Sequence, residues 1–116
     1  MMKFDGFDRD HEFESALVKN NPHSCLKSFN LAEGTLSMTI APVNNQSDER
    51  RVTFEDVRLQ NFDLFDFEQS HNLPWDIMGL NCKGHQDGLS FFCIHCLECE
   101  MVFLSRWPRV HKPTKH

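Results

Sequence analysis

Residues 89–105 read Leu-Ser-Phe-Phe-Cys-Ile-His-Cys-Leu-Glu-Cys-Glu-Met-Val-Phe-Leu-Ser. This is the most apolar stretch of the chain, it holds three of the five cysteines, and no glycine occurs between Leu89 and Trp107. Two incompatible arrangements follow. In one, Cys93, Cys96 and Cys99 form a C-x2-C-x2-C cradle for zinc, with Cys82, His85 or His95 as fourth ligand. In the other, the segment is a pair of β-strands with small buried thiols.

Turn chemistry separates the two. Paired thiolates reach one tetrahedral ion through tight turns, which normally carry Gly, Pro, Lys or Asn beside the ligands. Here the intervening residues are Ile94-His95 and Leu97-Glu98. Strand alternation explains more positions: Phe91, Cys93 and His95 share one face, and Phe92, Ile94 and Cys96 share the other. After a kink over residues 96–98, Glu98, Glu100, Val102 and Leu104 face one way and Leu97, Cys99, Met101 and Phe103 the opposite way. Closing strands of a core are therefore the expectation. A zinc site built from Cys82, Cys93, Cys96 and Cys99 is the alternative.

The rest of the chain carries the same period. Asp10 is placed to cap a short helix over residues 11–19, with Phe13, Ala16 and Leu17 inward, and Asn20-Asn21-Pro22 ends it. Residues 24–31 read as a strand, 32–34 as a turn with Gly34 available for positive φ, and 35–41 as a strand with Leu36, Met38 and Ile40 on one face. Residues 42–49 form a polar loop. Residues 50–59 read as one strand with a bulge around Glu55-Asp56, and 62–68 as a short strand or irregular turn. Residues 75–82 read as a strand before a turn or loop at 83–88.

The predicted fold is mainly β, bordering on α+β: an antiparallel sheet or β-sandwich of about seven short strands with one short N-terminal helix. At 116 residues the chain is long enough for one domain and short for two. Residues 1–22 form its helical segment, 23–105 the β core and 106–116 a polar tail. The 11 Phe, with 2 Trp and no Tyr, lack polar tips and belong in that core.

The 17 acidic residues outweigh the 12 basic ones, for a formal charge of −5. That sign disfavours nucleic acid, whose binding is driven by Lys and Arg, and suits a basic protein partner. No apolar run approaches the ~20 residues that span a bilayer, and residues 1–10 lack the apolar stretch of a signal peptide. The sequence therefore predicts a cytosolic chain without membrane contact. The odd number of cysteines argues against a disulfide framework.

Catalytic motifs are absent from the sequence: no Gly-rich phosphate loop, G-x-S-x-G or H-E-x-x-H. A non-enzymatic chain is expected. The pairs that an enzyme would use are His23 with Cys25 and His95 with Glu98, both more simply read as strand positions. Glu98 and Glu100 read as solvent-facing, His71 and Trp75 as flanking a loop at Pro74, and His111 and His116 as tail residues.

Three segments resemble a group of small bacterial proteins that includes immunity proteins of polymorphic toxin and contact-dependent inhibition systems. They are His23-Ser24-Cys25-Leu26-Lys27-Ser28-Phe29, Arg51-Val52-Thr53-Phe54-Glu55-Asp56-Val57, and the closing run from Phe91 to Phe103. The resemblance spans roughly residues 23–105. It implies an immunity protein, in which Glu55, Asp56, Asp63 and Asp66 would cover the basic active site of a nuclease-like toxin. No catalytic residue and no cofactor comes with it.

Overall fold

The computed structural model describes residues 9–18, 23–45, 47–64, 73–86 and 88–111. One helix, α1 (Asp10–Val18), precedes eight strands: β1 (Ser24–Ala32), β2 (Thr35–Pro42), β3 (Arg50–Phe54), β4 (Arg58–Leu64), β5 (Trp75–Gln86), β6 (Leu89–Cys96), β7 (Cys99–Ser105) and β8 (Arg109–His111). They form one open antiparallel sheet in the order β4-β7-β6-β5-β1-β2-β3-β8. The mainly β reading holds.

The sheet consists of two four-stranded halves. β5 meets β1 only at Cys25↔Asp76 and Leu26↔Trp75, a short seam between two longer ladders. Strong curl brings the far strands together across the inner face. Phe54 of β3 and Phe103 of β7 meet edge to face with ring centroids 4.9 Å apart, and Phe29 of β1 meets Phe62 of β4 at 5.9 Å. The chain links the halves as well, because Arg106 N and Ser105 Oγ both donate to Glu55 O.

Helix α1 packs in the hollow of the curl. Phe13 lies 4.7 Å from the Phe92 ring, 6.2 Å from Phe54 and 6.1 Å from Trp107. Asp10 ties the helix start to β5: its carboxylate accepts from Cys82 N at 2.8 Å, Asn81 Nδ2 at 3.0 Å and Lys83 Nζ at 3.3 Å. At the other end Arg50, on the inner row of β3, donates to the carbonyls of Ala16 and Leu17, meeting the negative end of the helix dipole with a cation. Phe-rich packing of this kind suits a small core, since each ring buries a large apolar area without a polar tip.

Four expectations need correction. Residues 83–86 are strand rather than loop: β5 runs on to Gln86, paired Lys83↔Phe91, His85↔Ser90 and Gln86↔Leu89. Gly84, at φ 52°, sits where the register shifts, so the glycine serves a β-bulge rather than a turn. Residues 50–59 are not one bulged strand. The chain breaks at Glu55–Asp56, with Asp56 at φ 57°, and β3 pairs with β2 and β8 while β4 pairs with β7.

The short strand or irregular turn expected at 62–68 begins as the end of β4, which closes at Leu64; residues 65–68 lie outside the described residues. The tail expected from 106 onward supplies β8, whose Val110 pairs with Val52. The β1–β2 turn does form as predicted, with Gly34 at φ 75° and Glu33 at φ 55°. Two consecutive positive φ values match the turn that suits strand twist in a two-residue hairpin.

Candidate functional site: the outer face of the β4–β7–β6–β5 half

Alternation sorts the residues of 91–104 as the period of two requires. Phe92, Ile94, Cys96, Cys99, Met101 and Phe103 lie in the core, and Phe91, Cys93, His95, Glu100, Val102 and Leu104 lie on the outer face. Cys93 is thus separated from Cys96 and Cys99 by the sheet itself. A single ion cannot be reached by all three thiols in this arrangement. Among the described residues no group of three or more His, Cys, Asp or Glu side chains is arranged to hold a metal.

Cys96 and Cys99 face each other across the Leu97-Glu98 turn. The neighbouring Cys99 thiol and burial together hold Cys96 well above the ordinary thiol range. Cys25 is buried beside an exposed His23, and burial pushes its thiol up, the opposite of what a nucleophile needs. His95 pairs with Glu100, Nδ1 to Oε2 at 3.6 Å, while Glu98 Oε1 accepts from Asp76 N at 3.2 Å. The His95–Glu98 pair does not form.

Glu100 Oε2 also accepts from Cys93 Sγ at 3.6 Å. Burial, followed by the nearby Glu100 charge, pushes the Cys93 thiol up to about 11. Cys93, His95 and Glu100 therefore form a carboxylate-centred cluster that keeps the thiol protonated near neutrality. Such a cluster suits surface recognition better than attack on an electrophile.

Strand register arranges the outer face in three rows. The first is Asp63, Glu100 and His95; the second is Asn61, Val102, Cys93 and Asn81; the third is Arg58, Leu104, Phe91 and Lys83. The face is polarised, with acids at the β6–β7 turn end and, at the far end, Leu104 and Phe91 between the basic Arg58 and Lys83. Glu98 and Asp76 extend the acidic end. Phe91 in the third row is 41% exposed.

The acidic residues expected to bind a partner are split by the fold. Glu55 and Asp56 are close together, but each is ion-paired within the chain, Glu55 to Arg109 and Asp56 to Arg106. The pairing has a plain physical cause: the curl brings the basic 106–109 segment against the β3–β4 break. Asp63 is exposed and lies beside Glu100. Asp66 and His71 fall outside the described residues, as do His116 and the His85 side chain.

Trp75 packs on Phe29, with ring centroids 5.6 Å apart, and belongs to the core. The sequence reads Glu98 and Glu100 as solvent-facing without giving them a binding role, and it passes over Asp76. The signal of the two glutamates was the acid-alternate pattern of the closing strand, which acquires meaning only once β4 is set beside β7. An open groove of about 480 Å³ also lies by Arg50, Trp107 and His111, but the Arg50 guanidinium there already bonds the helix carbonyls. No helix among the described residues is long and apolar enough to cross a membrane. No family model, curated protein or solved structure matches the chain.

Proposed function

We infer that the chain is a protein-binding module that presents this polarised outer face to a basic partner. The observation carrying this reading is the row Asp63–Glu100 with Glu98 and Asp76, which has no Lys or Arg ion-pair partner among the described residues, on the same face as an exposed Phe91. Carboxylates left unneutralised by the chain's own cations are available to steer and register a positively charged surface. An exposed aromatic on such a face supplies buried area on contact. Net charge of −5 acts in the same direction.

Within that class, the partner is a basic toxin and the chain its cytosolic immunity protein. The acids engaged shift from Glu55 and Asp56 to Asp63, Glu98 and Glu100, with Asp66 adjacent in sequence. Binding occurs without turnover or cofactor, a role that a protonated Cys93 and the buried, protonated Cys96 support.

Co-expression with a toxin encoded beside the gene tests the reading, together with binding titrations. Protection is expected for the parent chain and a large loss of affinity for Glu100→Lys combined with Glu98→Lys. A toxin that is neither bound nor neutralised overturns the immunity assignment. Unchanged binding by the charge-reversed variant overturns the choice of face.

A further inference from the structure

The two edges of the sheet are built differently. β8 is three residues long and carries Arg109 and His111, the short, charged form that protects an edge from unwanted pairing. β4 is seven residues long, exposed at every position and without Lys or Pro. Among the described residues it pairs with β7 alone. Its inward-facing side chains Leu59, Phe62 and Leu64, opposite Phe103, Met101 and Cys99, are 46%, 40% and 46% exposed.

The sequence of this edge is complementary to itself. The register with β7 skips Gln60, which places Arg58, Asn61 and Asp63 on the outer face and Leu59, Phe62 and Leu64 on the inner one. If a second β4 lies antiparallel about a two-fold axis between Gln60 and Asn61, Arg58 falls opposite Asp63 of the copy and Leu59 opposite its Phe62. Each pair stands on the same face as its partner, because the skipped residue restores the parity. Val57 falls opposite Leu64 by the same count. Neither Arg58 nor Asp63 has an ion-pair partner of its own among the described residues, so the pairing neutralises two free opposite charges twice over. Cross-strand pairs of opposite charge and of apolar side chains are the units that stabilise antiparallel ladders, and a two-fold contact of this type closes on itself.

We propose that β4 docks antiparallel on β4 of a second copy of this chain, joining two eight-stranded sheets into one. The occupant is another copy because the charge pattern reverses sign from one end to the other, so antiparallel pairing sets each Arg58 against the other copy's Asp63. This goes beyond the outer-face reading and shares only Asp63 with it: it concerns the edge, and it leaves Glu98, Glu100 and Phe91 of each copy facing outward.

Light scattering and analytical ultracentrifugation of the full chain over a wide concentration range test it. A reversible dimer is expected, with Arg58→Asp and Asp63→Arg each raising its dissociation constant ~tenfold or more and the double charge swap restoring it. Amide exchange of the unmodified chain supplies a second readout that needs no variant, with protection at 58–64 rising with concentration. A monomer at every concentration overturns the proposal, as does a dimer insensitive to either charge reversal or one not rescued by the swap. The failures are separable, because Glu100→Lys alters the outer face and leaves the edge intact.

Discussion

Phe54 and Phe103 come from strands near opposite ends of one sheet, yet their rings meet edge to face at 4.9 Å and 84°. No ladder hydrogen bond joins β3 to β7, so this contact and its Phe92 neighbour hold the curl. Both rings are fully buried. Truncation to Ala is expected to cost about 3–5 kcal/mol at either site, a large fraction of a small domain's stability. The gentler cycle with Phe54→Leu and Phe103→Leu isolates the pair, with an expected coupling of about 0.5–1.5 kcal/mol by urea denaturation. Strict additivity would mean that the curl is held elsewhere.

Asp10 joins α1 to β5 through three acceptor contacts, the shortest from Cys82 N at 2.8 Å. Removing the carboxylate leaves that backbone donor without its partner. Asp10→Ala is expected to destabilise by about 1–3 kcal/mol and to raise amide exchange at Cys82. Asp10→Asn should recover part of the loss, because its carbonyl oxygen still accepts. An Asp10→Ala chain as stable as the parent would show that Phe13 packing alone docks the helix.

Glu33 occupies a left-handed conformation at φ 55° beside Gly34 at φ 75°. For an L-residue with a Cβ this is a strained region, while Asn tolerates it and Asn-Gly is the favoured pair for this turn. Glu33→Asn is expected to stabilise by roughly 0.5–1 kcal/mol, seen as a higher melting temperature. Conversely, Gly34→Val should destabilise; its Cβ meets nothing within 4 Å, so the penalty would come from backbone conformation rather than a clash.

These positions also show what the sequence made legible. Turn chemistry at Gly34 and the two-residue alternation of 91–96 and 99–104 are local, and both predicted their elements and faces, whereas Leu97, expected on the core face with Cys99, is exposed in the turn between the strands. The rest depended on non-local pairing. Glu55 and Arg109 lie 54 residues apart, and nothing in either segment announces that one will neutralise the other. Asp63 joins Glu100 only through the β4–β7 register. Gly84 reads as a turn residue in isolation, and its role as a bulge in a twelve-residue strand follows from the partner strand. The candidate face was therefore half visible: its cysteine and histidine alternation was readable, and its acidic row was assembled by the fold.

Cys93 supplies the last prediction. Its thiol sits on the outer face between Glu100 and His95, and burial followed by the Glu100 charge raises it from 9.0 to about 11. The folded state thus holds this proton more tightly than the unfolded chain does. Its contribution to stability is complete below pH 9 and is lost as pH rises from about 9 towards 11, the direction required for a group whose folded value is raised. Thermal melts should show a fall across that alkaline window, smaller in Cys93→Ser. Alkylation gives the site-specific readout, because Cys25, Cys82, Cys96 and Cys99 are buried and Cys93 alone is partly exposed. Iodoacetamide should modify Cys93 first, slowly at pH 8, with a rate that climbs through pH 10–11. Glu100→Gln removes the second cause and leaves burial, so the rate profile should move to lower pH while remaining above that of an unburied thiol. A profile centred at or below pH 9, or one unmoved by Glu100→Gln, would show that this carboxylate does not govern the thiol.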